Sequence, residues 1–239
     1  MTYVIGDVHG EFDTLKKLTK QLPNNYKLIF VGDLVDRGLK SKEVIKFVRQ
    51  NNHQSVLGNH EEMMIKYGES FIQTYPQKPR IESMNFWLTN GGKQALLSYD
   101  LIKITKDGKI ICNENPSAFK QFKDDIKWLK TLPFYIKIPK IKKDGKSIVI
   151  SHASCADAWH YHNNKNEQAK FKEYALWNRT PPEINCKIFN IHGHTIIKDI
   201  DTSKHYLNLD TGCYKKGETT SYLSAYCLET SKIVSQRRV

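Results

Sequence analysis

The chain has 239 residues, 39% of them hydrophobic and 26% charged, which suits one well-buried domain with room for an insertion. No apolar run approaches the roughly 20 residues needed to cross a bilayer, and five cysteines without a C-x-x-C pair argue against a disulfide framework or a zinc knuckle. The formal charge of +12 comes from 31 lysines and 6 arginines spread along the whole chain, a diffuse pattern that reads as solvation, so no specific nucleic-acid partner and no membrane partner is expected.

Tyr3-Val4-Ile5 reads as a short buried strand ending in Gly6-Asp7-Val8-His9-Gly10. A strand this early leaves no room for a signal peptide, and together with the cysteines it sets the expectation of a reducing, cytoplasmic setting. Glu11 to Gln21 carries Phe12, Leu15, Leu18 and Leu22 at helical spacing, and Leu22-Pro23 closes it. The strand Lys27 to Val31 runs into Gly32-Asp33-Leu34-Val35-Asp36-Arg37-Gly38. Ser41 is the expected N-cap of a helix bearing Val44, Ile45, Phe47 and Val48. A third strand, Ser55 to Leu57, delivers Gly58-Asn59-His60-Glu61, with a helix over Glu61 to Tyr67. The pattern is βαβαβα. Asp7, Asp33 and Asn59 lie evenly 26 residues apart, so successive units place three loops on one sheet edge, where α/β sheets hold ligands.

From about residue 68 to 132 the character changes to an inserted helical cap. Asn90-Gly91-Gly92 marks a helix stop or turn, and Ser117 to Leu132 carries Phe119, Phe122, Ile126 and Leu129 on one face. Tyr135 to Ile138 and Ser147 to Ile150 flank the hairpin signal Asp144-Gly145. The second of these strands ends in Ser151-His152-Ala153. Lys187 to Ile191 runs into His192-Gly193-His194-Thr195, His205 to Leu209 into Asp210-Thr211-Gly212, and Ser221 to Leu228 and Lys232 to Gln236 close the chain. This half reads as mainly antiparallel β. No linker divides the chain, so residues 1–239 form one expected domain.

Two carboxylates and a guanidinium within residues 32–38 are costly at a buried strand end unless a cation and an anion compensate them. Asp7, His9 and Asp33 offer donors for one ion; Asp33, Asn59, His152 and His194 offer a set for a second, with Asp33 as the bridge. Mixed nitrogen and oxygen ligands suit Mn, Fe or Zn. Two ions ~3.5–4 Å apart hold a bridging hydroxide and clamp an in-line displacement at phosphorus. Arg37 and Arg179 are suited to grip the non-bridging oxygens, and His60 to protonate the leaving oxygen. Asp36 would orient that imidazole and raise its pKa.

These residues resemble the signature of phosphoprotein-phosphatase-type (calcineurin-like) metallophosphoesterases: Gly6 to Gly10, Gly32 to Gly38, Gly58 to Glu61, Ser151 to Ala153 and Gly193 to Thr195. The Trp87 to Tyr99 segment and Leu176-Trp177-Asn178-Arg179 look like the compact bacterial and phage serine/threonine protein phosphatase branch. The resemblance implies a four-layer α-β-β-α sandwich, two mixed sheets flanked by helices. It also implies two divalent ions, often Mn, and the roles just assigned. The substrate it implies is a phosphoprotein or phosphopeptide, the alternative being symmetrical hydrolysis of diadenosine tetraphosphate. A non-catalytic metal-binding module would need neither His60 nor Asp36. His53, His160, His162 and His205 are expected on the surface or in packing, His192 is open between packing and support of the ligands, and Asp210 is expected to organise a turn.

Overall fold

A computed structural model describes residues 1–77, 81–217 and 219–239, with the backbone alone at 81–83, so residues 78–80 of the expected cap lie outside the described residues. Strands β1 (Thr2–Ile5), β2 (Lys27–Phe30) and β3 (Gln54–Ser55) are parallel neighbours, separated by helices α1 (Phe12–Thr19) and α2 (Ser41–Gln50). Two late strands, β10 (Tyr222–Cys227) and β11 (Ile233–Arg237), extend this sheet antiparallel on the β1 side, giving the order β11-β10-β1-β2-β3. A second sheet holds β6 (Tyr135–Lys143), β7 (Lys146–Ser151), β8 (Ile188–His192) and β9 (Leu207–Asn208) in sequence order.

Alternation along the strands explains how these sheets stack. Val4, Ile29 and Val31 meet Ile148, Ile150, Phe189 and Ile191 in an inter-sheet core. Tyr3, Ile5, Leu28 and Phe30 face the opposite way. They pack with α1, α2, α3 (Asn59–Thr74), α4 (Ile81–Trp87), α5 (Lys93–Ser98) and α6 (Pro116–Leu129). On the far side of the second sheet, Val149 and Ile188 pack against Phe171 and Ala175 of α7 (Gln168–Trp177). The result is four layers, helix-sheet-sheet-helix.

Several boundaries differ from the sequence reading. The helix after β3 begins at Asn59 rather than Glu61 and runs to Thr74. Ser41 is the first residue of α2 and not its cap; its hydroxyl instead accepts the Asp36 N–H at 3.0 Å. Within residues 68–132 a small antiparallel pair, β4 (Ile102–Ile104) and β5 (Ile110–Cys112), joins the helices. The second half pairs antiparallel at β6–β7, β10–β11 and β1–β10 as expected, but β7, β8 and β9 run parallel, because α7 carries the chain back before β8. Alternation reveals a strand but not its direction, which the connection decides. The Asp144-Gly145 hairpin forms as expected, with both residues at positive φ (50° and 75°).

Candidate metal centre

The parallel strands β1, β2 and β3 deliver Asp7, Asp33 and Asn59 from one sheet, while β7 and β8 deliver His152 and His194 from the other. All five side chains are buried. The backbone is bent to bring them in: His9, Asp33, Asp36, Arg37 and His194 have φ between 46° and 69°, a left-handed region that costs non-glycine residues energy and clusters at functional sites.

His152 donates its Nδ1–H to Val31 O (3.0 Å), which leaves a lone pair on Nε2. That lone pair faces Asn59 Oδ1 at 2.7 Å, His194 Nδ1 at 3.0 Å and Asp33 Oδ1 at 3.4 Å. Asn59 Oδ1 and His194 Nδ1 are 3.1 Å apart. A proton on His194 Nδ1 would answer one of these contacts and leave its Nε2, buried without a hydrogen-bond partner, carrying a bare lone pair. One cation among the four atoms satisfies them all, so the residues fit a metal ion. Beside them His9 donates Nδ1–H to Val35 O (3.0 Å) and turns Nε2 to Asp33 Oδ2 at 3.5 Å, with His60 Nε2 at 3.9 Å from the same oxygen. Asp33 thus belongs to both ligand clusters, His9-Asp33-His60 and Asp33-His152-His194, each with its atoms within 4.8 Å of one another. Asp7 stands outside those two clusters and accepts the His194 N–H at 3.1 Å.

The electrostatics have the sign a cation site needs. Burial pushes Asp7 well above the ordinary carboxylate range, and the neighbouring Asp210 and Asp33 push it further. Burial raises Asp33 too, against the pull of His60. It lowers His9, takes His152 to about 3 and takes His194 to about 2, keeping the imidazoles in the neutral form that ligates metal.

His60 and Asp36 pair as expected, Nδ1 to Oδ2 at 2.8 Å. The expected rise in the imidazole's pKa is reversed: burial lowers His60 to about 4, Asp33 opposes that, and Arg37 and Arg179 add to it. The geometry agrees, since Arg37 Nη2 can only donate and lies 3.4 Å from His60 Nε2. Arg37 also lies over the Tyr214 ring, its guanidinium carbon 4.2 Å from the centroid. Arg179 donates to His194 O (3.2 Å) across the mouth of a cavity of about 230 Å³ that also exposes Asp33, Asn59 and His60.

The sequence reading missed Glu61, Tyr214 and Trp87. Glu61 is fully buried, and its carboxylate accepts the N–H groups of Gly58, Asp33, Leu34 and Val35 at 2.8–3.2 Å, tying the second loop to the third. Its place at the third position of a helix opened by Gly58 was the available signal. Asp210 is buried beside the site, its Oδ1 taking the Gly212 N–H (3.0 Å). His192 stacks on Tyr206 and belongs to neither ligand cluster, though it lies near enough to His152 to help lower its pKa, and His53, His162 and His205 pack against rings or bond Pro182 O outside the centre.

A family model described as calcineurin-like phosphoesterase matches residues 2–198. The chain is 27% identical over 232 residues to serine/threonine-protein phosphatase 2 of Escherichia coli (strain K12), covering 92% of this chain and 91% of that protein. It is also 27% identical over 248 residues to the asymmetrical bis(5'-nucleosyl)-tetraphosphatase PrpE of Anoxybacillus flavithermus, covering 91% and 88%. Among solved structures, one described as a candidate diadenosine tetraphosphatase superposes over 100% of this chain and 93% of its own, with a TM-score of 0.61 at 18% identity. The likeness at that identity concerns the fold. With the family model spanning most of the chain and its two ligand clusters meeting at Asp33, the protein is a phosphoester hydrolase and belongs to the calcineurin-like phosphoesterase family.

Proposed function

We propose that the chain is a serine/threonine protein phosphatase working with two divalent cations, Mn being the metal best suited to its mixed nitrogen and oxygen donors, with Fe or Zn as alternatives. Similarity to a serine/threonine-protein phosphatase along nearly the whole length of both chains carries the substrate class. Asp7, His9 and Asp33 would hold one cation and Asp33, Asn59, His152 and His194 the other. When bound, the cations supply a reactive water at neutral pH and neutralise phosphoryl charge.

The remaining steps belong to side chains. Arg37 and Arg179 converge on the cavity and bind the non-bridging oxygens of a phosphate dianion. That dianion competes with His60 for the Arg37 guanidinium and adds negative charge beside the imidazole, so the Nε2 site gains a proton as substrate binds. The P–O bond then breaks with its electron pair on the ester oxygen, which takes the Nε2 proton of His60. Asp36 keeps the Nδ1–H throughout. The water added at phosphorus returns a proton to solvent, and solvent reprotonates the imidazole. Residues 68–132 act as an insertion in one catalytic domain, in keeping with the core that α6 shares with α1 and α2. Five free cysteines accord with a cytoplasmic location.

Whole-length similarity to PrpE favours dinucleoside polyphosphates as a second reading. Parallel rate measurements with Mn on a phosphothreonine peptide and on diadenosine tetraphosphate separate the two. Higher kcat/KM on the peptide is expected, and the reverse would transfer the chain to nucleotide hydrolysis.

A further inference from the structure

Trp87 is fully buried at the end of α4, outside every metal-binding motif. Its indole Nε1–H lies 3.1 Å from Asp36 Oδ1 and 3.0 Å from Oδ2. Among the described residues it is the only partner of Oδ1, since His60 Nδ1 meets Oδ2 and the Ser41 hydroxyl takes the Asp36 backbone N–H. A carboxylate with 0% exposure and φ of 69° depends on those few donors for its orientation.

The backbone just after the indole holds the neighbouring residue. Residues Leu88–Gly92 form a kink between α4 and α5 in which Gly91 leaves helical geometry at φ 110°. Gly91 O accepts the Arg37 N–H at 3.2 Å, and a Cβ on Gly91 would stand 2.5 Å from that nitrogen. A Cβ on Gly92 would fall 2.4 Å from the indole ring, so its absence lets Trp87 lie flat on the turn. Within six consecutive residues, Trp87 therefore holds the Asp36 side chain and Gly91 the Arg37 backbone.

We propose that Trp87 is a positioning residue for protonation of the leaving group, its N–H fixing the Asp36 carboxylate that in turn aims the His60 imidazole. The proposal rests on His60 being the acid of the proposed reaction. The indole touches neither substrate nor cations, so its influence passes entirely through Asp36. A residue that only filled space would slow all substrates alike; one that aims the acid slows those whose leaving oxygen needs a proton.

Trp87→Phe keeps an aromatic ring and removes the donor. Its kcat/KM is measured with Mn on 4-nitrophenyl phosphate, whose leaving group departs without help, and on phenyl phosphate, whose leaving group does not. The expected result is a rise of about ten-fold in the ratio of the first to the second, a fraction of the ~10²–10⁴ a positioned acid contributes. In a His60→Ala background the same substitution is expected to leave that ratio where His60→Ala alone puts it. Equal losses on both esters, or an added shift in the His60→Ala background, would overturn the proposal. A His60→Ala enzyme with no leaving-group dependence would overturn the acid assignment itself, and the two failures are distinct. Where phenylalanine destabilises the fold, benzothienylalanine at position 87 retains the bicycle without the N–H, and the same ratio decides.

Discussion

Asp33 carries the largest share of the site, with Oδ1 turned to His152 and Oδ2 to His9 and His60. Asp33→Asn keeps the shape and removes the charge shared between the two clusters. Metal content is expected to fall at both positions and turnover by more than about a hundred-fold, above the 10–100-fold typical of residues one step removed from a metal. Circular dichroism should still report a folded chain; full activity with two cations bound would refute the shared-ligand assignment. Arg37→Ala tests a different role. Losing a charge-assisted hydrogen bond worth ~1.5–3 kcal/mol should raise KM about ten-fold or more while metal content stays constant. At this scale the sequence was informative, because ligands must be particular residue types at strand ends. Glu61, Tyr214 and Trp87 escaped it because a carboxylate tying loops, a ring under a guanidinium and an indole behind a carboxylate look like ordinary helix and core residues until the chain is folded.

Among the elements, the kink between α4 and α5 holds the Arg37 backbone. Asn90-Gly91-Gly92 reads from sequence as a helix stop or turn between helical flanks, and the structure breaks the helix there, with Gly91 at φ 110° facing Arg37. Gly91→Ala is expected to cost about 1–2 kcal/mol for the left-handed backbone alone, with more from the clash. It should lower the Tm and raise KM for phosphate esters together, measured by thermal melts and steady-state rates. The first three strands and two helices were legible because their hydrophobic periods are clean and their loops recur every 26 residues. β4, β5 and the parallel run of β7, β8 and β9 were not, since short strands carry little pattern and direction depends on connections.

The whole molecule gathers buried acids and buried imidazoles at the meeting of two sheets, and removing the cations exposes that arrangement to pH. Burial raises Glu61 to about 8 and Asp210 to about 7, and lifts Asp7 well above its ordinary range. A carboxyl whose folded pKa is raised binds more protons in the native state, so its contribution is lost as pH rises through the folded value. The buried histidines oppose this only below their unfolded value of ~6.5. Chelator-treated protein is therefore expected to melt at falling temperature from about pH 6.5 to 8.5, and saturating Mn to remove the slope by stabilising the ionised carboxylates. A flat profile for the chelator-treated protein would contradict the raised pKa of these acids. The four-layer stacking also ties cation binding to motion. The His194 N–H, from one sheet, donates to Asp7 of the other. A cation held from both sheets would add a second tie at the same place, so saturating Mn is expected to slow hydrogen–deuterium exchange of the His194 amide relative to chelator-treated protein.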